Sequence, residues 1–297
     1  MIFRLLAFLW LCFSIGCANQ QTDSATNAND APQVLKFSAI PDQNMTEIKE
    51  KFDLLAKHLA DSLEIDVEYI PSSDYKASVD AFKSGDIQLA WFGGLTGVQA
   101  RAAVSGARAI AQGKSDPVFK SYFIAHKDTG LETSDEFPMG LGEFSFSFGS
   151  ESSTSGRLMP EHYLRENTGK SPAEFFQAAP TFSGSHDKTV ELVESGQVQT
   201  GVVNFKVYDQ RVADGKTDPE VCKVVWVTPE YADYNFTAHP DLEDMFGEGF
   251  TDRLQQTLIA IDDPALLSAF PREALIEAKN EDFTGIEKVA EALGFLR

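Results

Sequence analysis

At 297 residues, with 43% apolar and 24% charged positions, the chain has a globular composition with room for two lobes, which excludes collagenous, disordered and multi-span membrane classes. Its formal net charge of −20 excludes a nucleic-acid binder, whose contact surface is basic. The same charge means that an anionic ligand must be held by local dipoles and donors, because the overall field opposes it.

The first 16 residues, MIFRLLAFLWLCFSIG, join one early cation, Arg4, to an apolar run too short to span a bilayer and ending in small residues, the pattern of a secretory signal peptide. Cys17 follows directly, and SIGC resembles a bacterial lipobox with Ser14 where leucine is usual. Cys17 is therefore the expected lipidation site, and an ordinary signal peptide cut near Gly16, Cys17 or Ala18 is the alternative. Residues 17–33 hold almost no large apolar side chain and read as a flexible tether. With Cys12 and Cys17 assigned to signal and anchor, Cys222 is the last cysteine, so no intrachain disulfide is expected; in VCKVVWV it reads as a small core residue of a strand.

From Val34 the pattern alternates between strand and helix. VLKFSAI is a strand ending at Pro41, and Ile48, Phe52, Leu55, Ala56, Leu59 and Leu63 form one face of a helix starting near Thr46. IDVEYIP is a strand, a helix follows Asp74, IQLAWFG is a buried strand, and a third helix starts near Thr96. ARAIAQG and SYFIAHKD are further strands. A second series then opens with FSFSFGS, a helix over 154–167, a helix over 186–194, the strand TGVVN, a helix through Tyr208 and the strand CKVVWVT; the remainder reads as mostly helical. This rhythm predicts an α/β chain of two lobes, each a sheet flanked by helices. Lobe 1 is expected at 34–126 and 224–297 and lobe 2 at 127–223, with SYFIAHKD and CKVVWVT as the two crossover strands of a hinge.

Several enzyme signatures fail. Thr168, Gly169, Lys170 and Ser171 look like the end of a phosphate-binding loop, but its leading glycine would fall at Leu164. Ser185, His186 and Asp187 are adjacent, and adjacent side chains cannot build a catalytic triad. None of the five histidines is paired at metal-ligand spacing, so no metal and no cofactor is expected.

Polar residues at strand-to-helix turns carry more information. In open α/β sheets ligands bind beyond the carboxyl ends of strands, where helix N-termini present unpaired N–H groups and about half a positive unit charge. Ser153, Thr154 and Ser155 lie in such a turn, before a helix; they read either as an anion cradle or as a serine-rich N-cap that needs only one of them. Gly184, Ser185, His186 and Asp187 repeat the arrangement, with His186 as a further donor. Tyr75 at a helix start and Tyr122 on the first crossover read as ligand donors or as half-buried core residues.

Together IPDQN at 40–44, DYKASVDAFKSGDIQLAWFGG at 74–94, SSTSGRLMPEHYL at 152–164 and SGSHD at 183–187 resemble the PhnD-like phosphonate, phosphite and phosphate binding proteins of ABC importers, over essentially the whole chain from Val34. The resemblance implies a type II periplasmic binding protein fold that closes on a small oxyanion and delivers it to a membrane permease, without enzymatic chemistry. It implies ligand contacts from Tyr75, Tyr122, Ser153, Thr154, Ser155 and His186, with Trp91, Phe92, Gly93 and Gly94 lining the cleft. Asn204 stands where aminoalkyl-phosphonate binders place acidic groups, and it is carried as a further contact. WFGGLTGVQAR and STSGRLMPE look closest to a branch linked to selenate import, so phosphonate, phosphite, phosphate and selenate all stand as candidate ligands. A secreted hydrolase using His186 as base, and a sensor presenting its ligand to a membrane receptor, are the competing readings.

Overall fold

Two mixed sheets, each combining parallel and antiparallel strands, carry residues 33–296, the part of the chain that the computed structural model describes. The first sheet begins with β1 (Val34–Ala39), α1 (Met45–Leu63), β2 (Asp66–Tyr69), α2 (Tyr75–Lys83), β3 (Leu89–Phe92), α3 (Gly94–Ala103) and β4 (Arg108–Gly113). The chain then crosses to β5 (Ser121–His126), β6 (Phe146–Phe148), α4 (Met159–Thr168), α5 (Pro172–Phe175), β7 (Thr181–Phe182), α6 (His186–Glu194), β8 (Thr200–Asn204), α7 (Phe205–Ala213) and β9 (Cys222–Val227). It returns for β10 (Asn235–Ala238), α8 (Asp241–Phe246), α9 (Phe250–Ile259), α10 (Pro264–Leu267), β11 (Leu275–Glu277) and α11 (Thr284–Ala292). The strand orders are β11-β4-β10-β3-β1-β2 and β7-β6-β8-β5-β9, with β10 antiparallel to both its neighbours and β5 antiparallel to both of its own.

Local patterning accounts for most elements. The apolar face of α1 buries Phe52, Leu55, Ala56 and Leu59 against the first sheet, where Phe52 stacks on Tyr69 at 5.0 Å. The second sheet buries Phe123, Phe146 and Trp226 in one aromatic cluster. Each such ring contributes roughly 1.5–3 kcal/mol on burial. α6 runs from His186 to Glu194 as its spacing predicts, with Ser185 as N-cap.

Three expectations are corrected. SYFIAHKD and CKVVWVT are neighbouring strands inside the second sheet, with Tyr122 opposite Val227 and His126 opposite Cys222, so they do not bridge the lobes. The crossings are residues 114–120 and 228–234, which pair with each other: Phe119 and Tyr231 exchange N–H to carbonyl bonds of 2.8 and 3.0 Å, and the Asp233 N–H donates to the Asp116 carbonyl at 3.0 Å. Division by sheet therefore moves the strand residues 121–126 and 224–227 out of lobe 1. NFTA, inside a stretch read as mostly helical, is strand β10 in the middle of the first sheet; all four residues are buried, so it shows no alternation to read. The helix expected from 154 opens as a π-helical turn over Thr154–Leu158 before α4 starts. The signal peptide, Cys17 and the tether up to residue 32 lie outside the described residues.

Candidate functional site

β6 leads through Gly149 into the turn that holds Ser153, Thr154 and Ser155, all three buried. Ser153 caps the turn: its Oγ accepts the Gly156 N–H at 2.9 Å and its carbonyl accepts the Leu158 N–H at 3.0 Å, five residues on. A π-turn widens the first helical turn and leaves more N–H groups without an intrahelical acceptor, a geometry common at functional sites. The hydroxyls therefore do different jobs. Ser153 is the N-cap, and Thr154 Oγ1 reaches the other sheet, where it accepts the Leu95 N–H at the start of α3 at 2.9 Å. The Ser155 carbonyl accepts the hydroxyl of Ser121 at 2.7 Å.

The first sheet meets this turn with the β3–α3 loop. A Cβ on Gly93 would stand 3.1 Å from Thr154 Oγ1 and 3.3 Å from Asp233 Oδ1, so glycine permits the approach. Asp233, on the second crossing, accepts the Gly94 N–H through Oδ1 at 2.9 Å, while its Oδ2 is buried with no hydrogen-bond partner. Burial pushes the Asp233 carboxyl up to about 7, against the opposing pull of the Gly94 N–H and the Thr154 hydroxyl. The hydroxyl of Tyr75, at the start of α2, is likewise buried and unpartnered, and it faces Ser153. Two buried polar atoms thus face the same turn without a geometrically close hydrogen-bond partner, where buried polar atoms are ordinarily paired.

Behind them lies a second polar cluster. Tyr234 donates its hydroxyl hydrogen to Asp42 Oδ2 at 2.8 Å and accepts from Asn204 Nδ2 at 3.0 Å. Asn204 also caps α7, its Oδ1 accepting the Lys206 N–H at 2.8 Å. Burial raises the Asp42 carboxyl to about 6, opposed by the Tyr234 hydroxyl and the Arg272 charge. His186 is buried; its Nδ1 accepts the Asn204 N–H at 3.3 Å, which places the proton of the neutral ring on Nε2, 3.5 Å from the Tyr234 hydroxyl. The two halves are also laced across the cleft by the His186 N–H on the Asp42 carbonyl and the Asn44 N–H on Asp187 Oδ2, both 3.0 Å. An open groove of about 1080 Å³ approaches this cluster, sharing Gln43, Val207, Pro271 and Arg272 with a void of about 10 Å³ that touches Asp42, Trp91, Asn204 and Tyr234.

Burial also lowers His186 to about 3. An unfolded histidine takes up its proton near 6.5, so this group contributes stability that is fully present above about 6.5 and falls with acidification by roughly 1.4 kcal/mol per pH unit. Urea unfolding at pH 7 and pH 5 is expected to show a loss about 2 kcal/mol larger in the native chain than in His186→Asn. Equal losses would mean that the imidazole titrates freely in the fold.

The structure brings together Tyr75, Ser153, Thr154, Ser155, His186, Asn204, Trp91, Gly93 and Gly94. It sets two expected residues apart. Ser121 turns toward Ser155, so its neighbour Tyr122 points to the opposite face of the sheet, packs on Phe205 and Tyr208, and reaches Asp209 at 3.5 Å. Phe92 likewise packs on Phe82 in the core, while Trp91 stacks on Tyr234 at 5.6 Å. Asp42, Tyr231, Asp233 and Tyr234 were not foreseen; the pairing of Tyr231 with Ser121 and Ser155 depends on the crossing segments, which carry no local signal.

The family description for ABC transporter phosphonate periplasmic substrate-binding proteins matches residues 37–283. The chain is 38% identical to the probable ABC transporter phosphite binding protein PhnD1 of Prochlorococcus marinus, over 90% of this chain and 92% of that one. It is 29% identical to the phosphate-import protein PhnD of Mycolicibacterium smegmatis, over 88% and 81%. The solved structure of Prochlorococcus marinus PhnD1 in complex with methylphosphonate superposes with a TM-score of 0.83 at 38% identity, over 89% of this chain and 99% of that one. The two helix-flanked mixed sheets are those of type II periplasmic binding proteins, and relatives of this kind are carriers, not enzymes. The chain therefore belongs to the periplasmic substrate-binding proteins of the phosphonate ABC transporter family.

Proposed function

We propose that this chain captures a small phosphorus oxyanion that keeps one exchangeable proton near neutral pH, of the phosphite, methylphosphonate or phosphate type, and delivers it to its permease from a lipid anchor at Cys17. The observation that carries the ligand class is the orphaned Oδ2 of Asp233 beside the Ser153–Ser155 turn. A carboxyl raised to about 7 shares a proton well with an acid of similar strength, and phosphate-type oxyanions give up their second proton in the near-neutral range. Sulfate and selenate are fully ionised and have no proton to offer, so they meet Asp233 only after it has been protonated at their expense. Tyr75, the hydroxyls and backbone of the cradle, and Nε2 of His186 supply the donors. Tyr234 has already committed its one hydrogen to Asp42 and serves to hold the site together. The names of the relatives, which bind or import phosphite, phosphate and methylphosphonate, agree with this class.

Calorimetric titration with phosphite, methylphosphonate, phosphate, aminoethylphosphonate, sulfate and selenate tests the proposal. The phosphorus oxyanions with small substituents are expected to bind and to raise the melting temperature in proportion to occupancy. Selenate or sulfate binding as tightly as phosphite would overturn it. Mass spectrometry of the mature N-terminus decides the anchor, which requires an acylated Cys17.

A further inference from the structure

The cluster described above contains two carboxyls, Asp42 and Asp233, in a chain whose net charge is −20. One cation nevertheless lies directly behind it. Arg272, in the loop between α10 and β11, has a side chain 3% exposed, and its guanidinium sits 4.9 Å over the ring of Tyr234 and 5.3 Å over Phe119. Its Nε and Nη2 grip the Asp116 carboxylate at 2.9 and 2.7 Å, and Nη1 donates to the Phe270 carbonyl at 2.8 Å.

Asp116 in turn ties the crossing segments. Its Oδ2 accepts the Gly113 N–H at 2.7 Å, and its carbonyl holds the Asp233 N–H at 3.0 Å. A Cβ on Gly113 would fall 2.4 Å from Asp116 Oδ2 and 2.6 Å from Arg272 Cγ, so the backbone is drawn in tightly around the pair. The pair thus touches two of the site residues of the second crossing: Asp116 holds Asp233 by its backbone, and Arg272 covers the ring of Tyr234. We propose that Arg272, paired with Asp116, is a positioning residue of the oxyanion site, fixing Tyr234 and Asp233 and placing a buried cation behind them.

The inference rests on the function proposed above. A buried ion pair is seldom more stabilising than well-packed apolar residues of the same size, so stability alone is a weak reason for this one, whereas a fixed geometry is a use such pairs serve. The pair also acts as a dipole on the two carboxyls: the Arg272 charge favours ionised Asp42, and the Asp116 charge disfavours ionised Asp233. Asp233 is faced by Asp116 from the first crossing, by Tyr231 and Tyr234 from its own segment, by Tyr75 from α2, by the hydroxyls of Thr154 and Ser155, and by the Gly94 N–H. Removing the Asp116 charge therefore lowers the Asp233 pKa.

The test uses the full chain, with methylphosphonate and phosphite as probes titrated between pH 6 and 8.5, and thermal melting without ligand as the measure of folding. Arg272→Lys keeps a charge and loses the planar fork, and it is expected to fold and to bind about tenfold more weakly. The paired Asp116→Asn/Arg272→Met chain leaves no lone buried ion; it is expected to melt near the native temperature, to bind about tenfold or more weakly, and to lose affinity at a lower pH than the native chain. Native affinity and an unshifted pH profile in these variants would reduce the pair to a structural brace and overturn the proposal. If the lysine variant does not fold, the paired variant decides by the same two readouts. A native chain that binds neither probe strikes down the proposed function instead, which keeps the two failures apart.

Discussion

Replacing Asp233 by asparagine is expected to invert both the ligand preference and its pH dependence. The amide oxygen keeps the Gly94 N–H that Asp233 Oδ1 accepts at 2.9 Å, so the local turn survives, but the buried and unpartnered Oδ2 becomes an amide donor. An oxyanion that bears a proton then meets donor against donor. Losing one hydrogen bond to a charged group costs about 1.5–3 kcal/mol, roughly 10- to 150-fold in affinity for phosphite or methylphosphonate near neutral pH. In the native chain, affinity is expected to decline as pH rises through about 7, because the Asp233 carboxylate and a dianionic ligand then share no proton. In the variant the slope reverses, since a ligand that has lost its second proton offers only acceptors, and sulfate and selenate gain at the expense of the phosphorus oxyanions. Calorimetry on both chains from pH 6 to 8.5 measures this directly. A variant that keeps the native order of ligands and the native slope would remove Asp233 from the ligand's reach.

The second large effect is on stability. Asp116→Ala leaves the Arg272 guanidinium, 3% exposed, without its carboxylate, and it leaves the Gly113 N–H without the oxygen 2.7 Å away. Breaking one side of a buried ion pair costs about 3–5 kcal/mol, because the remaining charge is neither solvated nor paired. For a chain of this size that corresponds to a fall in melting temperature of roughly 10 °C. The loss concentrates where the two crossings meet, since the Asp116 carbonyl also holds the Asp233 N–H. Thermal melting of the ligand-free variant within about 1 kcal/mol of the native chain would show that the guanidinium finds other partners and that the pair contributes little.

Both variants concern residues that the sequence did not single out, and the reason lies in how far apart the partners stand. Asp116 and Arg272 are 156 positions apart, and the Tyr234 hydroxyl reaches Asp42 across 192. The Ser153–Ser155 turn was legible because its signal is local: a strand, a glycine, three hydroxyl residues and a helix face follow one another within about a dozen positions, and the capping bond of Ser153 closes on Gly156. His186 was legible for the same reason, at the capped start of α6. Tyr122 and Phe92 failed for a different one. Each sits beside the residue that does face the cleft, Ser121 and Trp91, and successive strand residues point to opposite faces. In LAWF all four residues are buried, so alternation gave no parity to read.

The amino-acid sequence by itself determined what local physics determines: helix faces and caps, and the strand-to-helix turns with their hydroxyl residues. Only the tertiary structure decided which strands share a sheet, where the chain crosses between sheets, and which carboxyls stand beside the cradle. Those features depend on strand register and on hydrogen bonds between segments more than a hundred residues apart, and burial in that setting raises Asp233 to about 7. A carboxyl's affinity for its proton is a property of the space around it, and that space exists only once the chain has folded.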